Sequence, residues 1–172
     1  LLKDVEKSLE LGINKVLLFG VGENKSEDAN AAYDQNSVIP DAIRQLKKTF
    51  GSDLYIVSDI CACAYTSHGH CGILRDDYVQ NDETVALLAK MSLVHAQAGA
   101  DMVAPSDMMD GRILSIREKL DQHGFDNTAI MSYSIKFASG YYGPFREAAD
   151  SAPSKGDRKA YQMDFRNPNE TM

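Results

Sequence analysis

The stretch LYIVSDICAC, residues 54–63, joins an apolar, β-branched run to a cluster of thiols. Leu54–Ser58 is typical of a buried strand, because β-branched and aromatic residues without charges favour strands that are covered on both faces. Cys61 and Cys63 come directly after this strand, and Cys71 follows within one loop. In α/β proteins, active sites lie where parallel strands end and loops begin. We therefore expect the chemistry of this protein at the end of this strand.

Helices and strands alternate along the chain on both sides of this strand. We predict strands at residues 15–21, 54–58, 102–104 and 129–134. We predict four helices from apolar residues at helical spacing. The first ends at Gly12, and the second runs from Ile39 to Phe50. The third is capped by Asp82 and ends at Gly99, and the fourth is capped by Asp110 and ends at Gly124. Such alternation with short connections predicts right-handed crossovers and a parallel sheet, which is an α/β fold. Because a (β/α)8 barrel needs about 250 residues, we expect the 172 residues to supply part of one.

The composition limits the classes of protein to which the chain can belong. Its formal net charge of −7 and its pI of about 5.0 argue against a nucleic-acid-binding protein, which normally carries a basic face. No apolar run reaches the length of a membrane span and no signal peptide is visible, so we expect a cytoplasmic protein without a membrane partner. The three cysteines are clustered, which suits a reducing compartment and a metal. Since the chain starts at Leu1 without methionine, we expect its true N-terminus to be missing.

The cysteine cluster has three interpretations. Cys61 and Cys63 are two residues apart, so on an extended backbone both side chains point to one face, and the loop brings Cys71 back to them. The least specific interpretation is three ordinary, half-buried thiols. A second is a closed structural metal site with His68 or His70 as the fourth ligand. The third is an open three-thiolate Zn²⁺ site whose fourth position takes water or substrate.

Lys136 follows the last predicted strand, and it is either a solvated surface charge or a reactive amine. Along this strand Ser132, Ser134 and Lys136 share one face, and larger side chains such as Met131 and Tyr133 share the other. A parallel strand is covered on both faces, so the polar face should point into a sheltered place such as the mouth of a barrel. We expect desolvation there to lower the pKa of the Lys136 amine and to let it form a Schiff base with a carbonyl.

Further polar side chains gather at the same predicted edge of the sheet. Asp59 closes one strand and Ser106 follows the next, so three successive strands end in polar or reactive groups. Asp59 would orient a ligand, polarise an amine or only cap the turn. Arg146 and Arg158 lie in glycine-marked segments, and each would either bind a substrate carboxylate through two hydrogen bonds or stay at the surface.

Five motifs give the chain a resemblance to a known family. They are YTSHGHCG at 65–72, APSDMMDGR at 104–112, MSYSIKFAS at 131–139, YGPFR at 142–146 and GDRKAYQ at 156–162. In order and spacing they resemble the zinc-dependent type of the delta-aminolevulinic acid dehydratase (porphobilinogen synthase) family over essentially the whole chain. The resemblance implies a (β/α)8 (TIM) barrel enzyme, a hydro-lyase that joins two molecules of 5-aminolevulinate, releases two waters and forms porphobilinogen for tetrapyrrole and heme synthesis.

The resemblance also implies roles for individual residues. The zinc ligands would be Cys61, Cys63 and Cys71. Lys136 would be the Schiff-base lysine, and Asp59 is our candidate for moving protons nearby. The remaining implied roles are binding of the substrate carboxylate by Arg146 and Arg158, lining of the same pocket by Asp59, Ser106 and Gln162, and a mobile lid at residues 142–162.

Within that family, the chain resembles roughly the second to fifth βα units. We expect residues 1–172 to form a single domain, a partial barrel without the N-terminal arm, the first strand and the later strands. We expect this piece alone to be inactive and the full-length protein to be a homo-oligomer, an octamer by the resemblance; an additional Mg²⁺ would depend on later sequence. Two other functions stay open. A Schiff-base aldolase-like barrel would use Lys136 without the thiolates, and a structural zinc-binding module would use the cysteines without Lys136.

Overall fold

The computed structural model describes residues 1–22 and 24–172. Its α-helices are α1 (Leu2–Glu10), α2 (Val38–Phe50), α3 (Asn81–Ala98), α4 (Arg112–Asp121) and α5 (Gly143–Ala148). Its strands are β1 (Lys15–Leu18), β2 (Tyr55–Ile60), β3 (Leu74–Arg75), β4 (Tyr78–Val79), β5 (Met102–Pro105) and β6 (Ala129–Ile130). Within the described ranges, no helix is long and apolar enough to cross a membrane.

The main sheet has four strands in the order β1-β2-β5-β6, and each neighbouring pair is parallel. The helices α2, α3 and α4 connect successive strands of this sheet, as a parallel arrangement requires. The short antiparallel pair β3-β4 lies in the connection between β2 and α3. The predicted α/β fold with a parallel sheet is therefore confirmed.

Two predicted strands are longer than the strands observed. The strand predicted at 15–21 is limited to Lys15–Leu18, and the one predicted at 129–134 is limited to Ala129–Ile130. Both are edge strands, so each has a single neighbour in this sheet with which its backbone can pair. The polar face predicted for the last strand is wrong in part, since Ser132 and Ser134 are exposed and only Lys136 is buried.

Two predicted helix caps are wrong. Helix α3 begins at Asn81 rather than after Asp82, which lies in its first turn. The Asn81 side chain accepts a hydrogen bond from the Asp110 amide at 2.8 Å and donates one to the Asp110 carbonyl at 3.1 Å. This pair of bonds fixes Asp110 in the turn before α4, and the left-handed Gly111 (φ 77°) takes the cap position instead. The predicted end of α3 at Gly99 is confirmed by its left-handed backbone (φ 110°).

The core lies between the sheet and the helices, and it contains a buried polar pair. His95 on α3 and Ser58 on β2 are fully buried, and their Nδ1 and Oγ atoms lie 3.0 Å apart. Leu88 on α3 and Ile60 on β2 are fully buried apolar residues of the same region. Even-numbered residues of β2 therefore face the helices, and odd-numbered residues face the other side of the sheet.

Candidate active site

The carboxyl ends of β2 and β5 lie side by side and bring two loops together. Ile60 is in register with Pro105, and the Ser106 amide donates to the Ile60 carbonyl at 3.1 Å. Asp59 is an odd-numbered residue of β2, so it lies on the face opposite Ser58, and Cys61 follows the strand directly. The loop after β2 and the loop after β5 thus meet at one edge of the sheet, as the sequence predicts.

The three cysteines form a buried cluster. The Sγ atoms of Cys61, Cys63 and Cys71 all lie within 4.8 Å of one another, and the first two are 3.3 Å apart. A tetrahedral metal with thiolates at about 2.3 Å keeps its sulfurs roughly 3.8 Å apart, so these residues fit a soft metal ion. Hydrogen bonds from the other two thiols hold the pKa of Cys71 well below its usual value of 9.0. The cluster therefore offers a thiolate to a cation.

The two histidines of the loop are separate from this cluster. In the described part of the chain, the only group of potential metal ligands consists of the three cysteines. The His70 ring has both nitrogens occupied, since Nδ1 lies 3.0 Å from the Tyr161 hydroxyl and Nε2 lies 2.8 Å from the Lys155 carbonyl. The Nδ1 atom of His68 accepts a hydrogen bond from the His70 amide at 3.2 Å. This geometry favours the open three-thiol arrangement over the closed one.

Lys136 is buried, with 8% of its surface exposed, at the same edge of the sheet. Its Nζ atom donates to the Ser106 carbonyl at 2.5 Å, so the amine points at the loop after β5. Burial lowers the pKa of Lys136, but the negative charges of Cys61, Cys71 and other groups outweigh burial, so its pKa is raised above 10.5. The predicted lowering of the Lys136 pKa is wrong, because the thiol cluster lies close enough to stabilise the ammonium.

Asp59 contributes a carboxyl group that can exist in both protonation states near neutral pH. The residue is half-buried, but its Oδ1 atom is enclosed and has no hydrogen-bond partner among the described residues. Burial, followed by the charge of Cys61, raises the pKa of Asp59 from 3.8 to about 8. A carboxyl group with such a pKa suits proton transfer at physiological pH.

The two candidate carboxylate-binding arginines occupy different places. The Lys136 Nζ lies 5.5 Å from the centre of the Tyr142 ring, and the Arg146 guanidinium lies 5.9 Å from the same ring. Tyr142 therefore links Arg146 to the Lys136 amine. Arg158 is 2% exposed, and its Nη2 atom donates to the Gly69 carbonyl at 2.8 Å and to the Ser151 carbonyl at 2.6 Å.

Gln162 is a buried amide without a described partner. It is 4% exposed, and neither its Oε1 nor its Nε2 atom makes a hydrogen bond within the described ranges. An unpaired buried amide is destabilising, so Gln162 is suited to a polar ligand. Its neighbour Met163 donates its amide to the Lys136 carbonyl at 2.9 Å, which keeps Gln162 beside the lysine.

Residues 142–163, which we call the covering segment, lie over the cysteine loop. The Ser154 amide donates to the His68 carbonyl at 3.0 Å, and the Phe145 ring packs edge-on against Phe19 at 5.3 Å. The approach is closest at Gly69 (φ 73°), where a Cβ atom would lie 2.4 Å from the Ala152 carbonyl oxygen. This contact excludes any side chain at residue 69.

The sequence patterns missed Arg112, which connects two loops of the site. Its Nε atom lies 3.4 Å from a carboxyl oxygen of the fully buried Asp107. Its other nitrogens donate to the Met109 carbonyl at 2.9 Å and to the Tyr133 carbonyl at 2.8 Å. Arg112 thereby ties the loop after β5 to the segment that leads to Lys136. An arginine at the start of a helix gives no sequence signal of such burial.

Similarity to known proteins agrees with this arrangement. A sequence profile of the delta-aminolevulinic acid dehydratase family matches residues 1–172. The chain belongs to the delta-aminolevulinic acid dehydratase family. The family resemblance predicted from the five motifs is therefore confirmed. A delta-aminolevulinic acid dehydratase of Archaeoglobus fulgidus is 51% identical over 170 residues, which cover 99% of this chain and 52% of the relative. Another of Helicobacter pylori strain J99 is 49% identical over 172 residues, which cover 100% of this chain and 53% of that relative.

A solved member of the delta-aminolevulinic acid dehydratase family has the same fold. The crystal structure of the Toxoplasma gondii ME49 enzyme, in complex with its reaction product porphobilinogen, superposes with a TM-score of 0.96 at 43% identity. The match covers 99% of this chain and 49% of that one. The chain thus spans about half the length of the relatives it matches, and its parallel sheet corresponds to part of a (β/α)8 barrel.

Proposed function

We propose that the protein is a porphobilinogen synthase, which condenses two molecules of 5-aminolevulinate to porphobilinogen with loss of two waters. The observation that carries the proposal is the buried amine of Lys136 at the same edge of the sheet as the three-thiol cluster. The charges of Cys61 and Cys71 act on that amine, which supports their proximity. Family membership and the product complex of the Toxoplasma gondii enzyme add support from outside the chain.

We assign the covalent step to Lys136. Its amine adds to the ketone carbon of one 5-aminolevulinate, and loss of water gives an imine between lysine and substrate. Asp59, with a pKa near 8, supplies and accepts the protons that this addition and loss require. Once its nitrogen is protonated, the imine (an iminium ion) is more electrophilic than the ketone, and it holds one substrate in place for the second.

We assign the carboxylate of that substrate to groups around the lysine. Arg146 is linked to Lys136 through Tyr142, and the donor and acceptor atoms of Gln162 have no partner within residues 1–22 and 24–172. Arg158 is buried near the cysteine loop and has an unpartnered Nε atom within the described part of the chain. Arginine suits a carboxylate because its planar group offers paired donors.

We propose zinc as the metal of Cys61, Cys63 and Cys71, because thiolates are soft ligands and Zn²⁺ accepts three of them with an open fourth position. When bound there, zinc supplies a Lewis acid that can polarise an oxygen or an amine of a substrate. Its two positive charges would also offset the thiolate charges that keep Lys136 protonated. We further propose residues 1–172 as one domain, a cytoplasmic location and a homo-oligomeric assembly.

Borohydride trapping of 5-aminolevulinate on the full-length protein tests this function. Reduction of the imine converts it to a stable amine, and peptide mapping then locates the label. We expect the label on the peptide that contains Lys136, and we expect zinc chelation to abolish porphobilinogen formation. The exposed Lys48 is the internal control and should stay unlabelled. Label without any dependence of activity on zinc would favour an aldolase-like enzyme, and no label would favour a structural zinc module.

A further inference from the structure

A small cavity lies beside the cysteine cluster, and its wall contains two polar atoms without a hydrogen-bond partner in the described part of the chain. The cavity offers about 10 Å³ to the centre of a water molecule, which is room for about one water. Asp59, Cys61, Cys63 and Tyr65 are among the residues that line it. The Asp59 Oδ1 atom and the Tyr65 hydroxyl are both enclosed and have no hydrogen-bond partner among the described residues.

Tyr65 is directed into this place by the local backbone. The short turn Ala62–Ala64 follows β2, and the Tyr65 amide donates to the Ala62 carbonyl at 2.8 Å. Tyr65 is 2% exposed. Two glycines make room for its ring, since a Cβ atom at Gly20 would lie 3.0 Å from the hydroxyl and one at Gly22 would lie 3.0 Å from the ring. The hydroxyl therefore occupies a space that the chain keeps free of other side chains.

Apolar packing alone does not account for a tyrosine at this position. A phenylalanine would fill the same space without burying an unpaired hydroxyl, which is destabilising. The Asp59 Oδ1 atom is enclosed in the same way, and both residues line the same small cavity, so the two groups are near each other. One small molecule that can both donate and accept a hydrogen bond would pair with the Tyr65 hydroxyl and the Asp59 oxygen at once.

We propose that Tyr65 and Asp59 hold one water molecule between them, and that Tyr65 thereby positions the Asp59 carboxyl for its part in the reaction. The Tyr65 hydroxyl donates to the water oxygen, and the water donates to Asp59 Oδ1, so no covalent bond forms or breaks. The cavity is too small for a larger guest such as 5-aminolevulinate. The role of the water in the reaction rests on the proposed function, but the water site itself does not.

A high-resolution crystal structure of the zinc-loaded full-length protein tests the water site. We expect density for a water within hydrogen-bond distance of both the Tyr65 hydroxyl and Asp59 Oδ1. In the Tyr65→Phe variant, the same water should be absent or displaced. A dry cavity in the unaltered protein, or a water that contacts only one of the two groups, would overturn the proposal. This test stays valid if the protein does not form porphobilinogen.

Kinetics of Tyr65→Phe tests the positioning role. We expect kcat for porphobilinogen formation to fall about 10- to 100-fold, the usual effect of losing a hydrogen bond to a reacting charged group. The KM for 5-aminolevulinate should change by less than about twofold, because Tyr65 acts through Asp59 and not on the substrate. Borohydride labelling of Lys136 and the zinc content should persist.

Tyr33→Phe is the matched control, because Tyr33 packs against the same core and its hydroxyl donates to the Asn30 side chain at 2.6 Å, outside the cavity. Its kcat should be unchanged. An unchanged kcat in Tyr65→Phe would overturn the positioning role, as would a rise in KM with unchanged kcat. If Tyr65→Phe fails to fold, the crystal structure of the unaltered protein decides. If the unaltered protein neither labels Lys136 nor forms porphobilinogen, the proposed function fails, and the positioning role fails with it.

Discussion

The two faces of β2 differ in what they bury. On the helix side, Ser58 is satisfied by His95 and surrounded by apolar residues of the core. On the other side, one residue further along, Asp59 is half-buried, with a strongly raised pKa and an oxygen that has no partner among the residues the structure describes, and Cys61 joins a cluster of thiols. The helix side buries mainly apolar residues, whereas the other side gathers ionisable groups that suit the chemistry we propose. Substitutions on the two faces should therefore separate activity from stability.

The largest effect should come from Lys136→Met in the full-length protein. Loss of the amine removes imine formation, so porphobilinogen formation should fall by about 10⁴-fold or more. The free energy of unfolding should fall by about 1–3 kcal/mol, because loss of the ammonium leaves the Ser106 carbonyl and the thiol cluster without their buried partner. Lys48→Met, at an exposed site of α2, should keep full activity. A Lys136→Met protein with substantial activity would mean that the two faces do not differ as described.

A core substitution on the helix side should lower stability and leave activity unchanged. Leu88→Ala opens a cavity at a fully buried residue of α3, and we expect it to cost about 2–5 kcal/mol in the free energy of unfolding. Activity per folded molecule should stay near that of the unaltered protein, as measured below the unfolding transition. Leu114→Ala at a residue that is 65% exposed should cost less than about 0.5 kcal/mol. Selective loss of kcat in Leu88→Ala would contradict the separation.

The smallest effect should be a loss of folding stability in acid, caused by His95 on the helix side. Burial lowers the pKa of His95 from 6.5 to about 3, so below pH 6.5 the unfolded chain binds a proton that the folded chain does not. The free energy of unfolding should fall by about 1.4 kcal/mol for each pH unit below 6.5, or about 2 kcal/mol at pH 5. His95→Gln should remove this slope, as denaturation between pH 7 and pH 4.5 can measure.

His123→Gln is the control for that slope, because His123 is exposed on the turn after α4. Its acid dependence should match that of the unaltered protein. Equal slopes in His95→Gln and the unaltered protein would show that another group causes the loss of stability in acid.

The sequence was sufficient where one local pattern decides the structure. Short-range patterns in the chain were enough to predict three features: the apolar run of β2, the end of α3 at Gly99 and the convergence of the three cysteines. The cap predicted at Asp110 failed because Asn81, 29 residues earlier in the sequence, binds the turn before α4. Such a contact depends on the assembled fold and leaves no periodic signal.

The sequence predicted which residues lie at the candidate site better than it predicted the burial and charges around them. Lys136 does lie at the edge that carries the thiols, but its pKa is raised because nearby charges outweigh burial. The balance of two opposing effects needs distances, which a sequence does not provide. Tyr65 and Arg112 were missed for the same reason, since only the fold encloses a hydroxyl or buries a guanidinium.

The closeness of Gly69 to Ala152 has a consequence for the lifetime of the lysine–substrate imine that we propose. Imines hydrolyse in water, so the yield of a condensation depends on how well bulk solvent is kept out while the second substrate reacts. The backbone at residue 69 leaves no space for even one methyl group beneath the covering segment. A single added carbon there would push the covering segment away from the cysteine loop. Arg158 would then lose its hydrogen bonds to its carbonyl partners, and water would reach the imine.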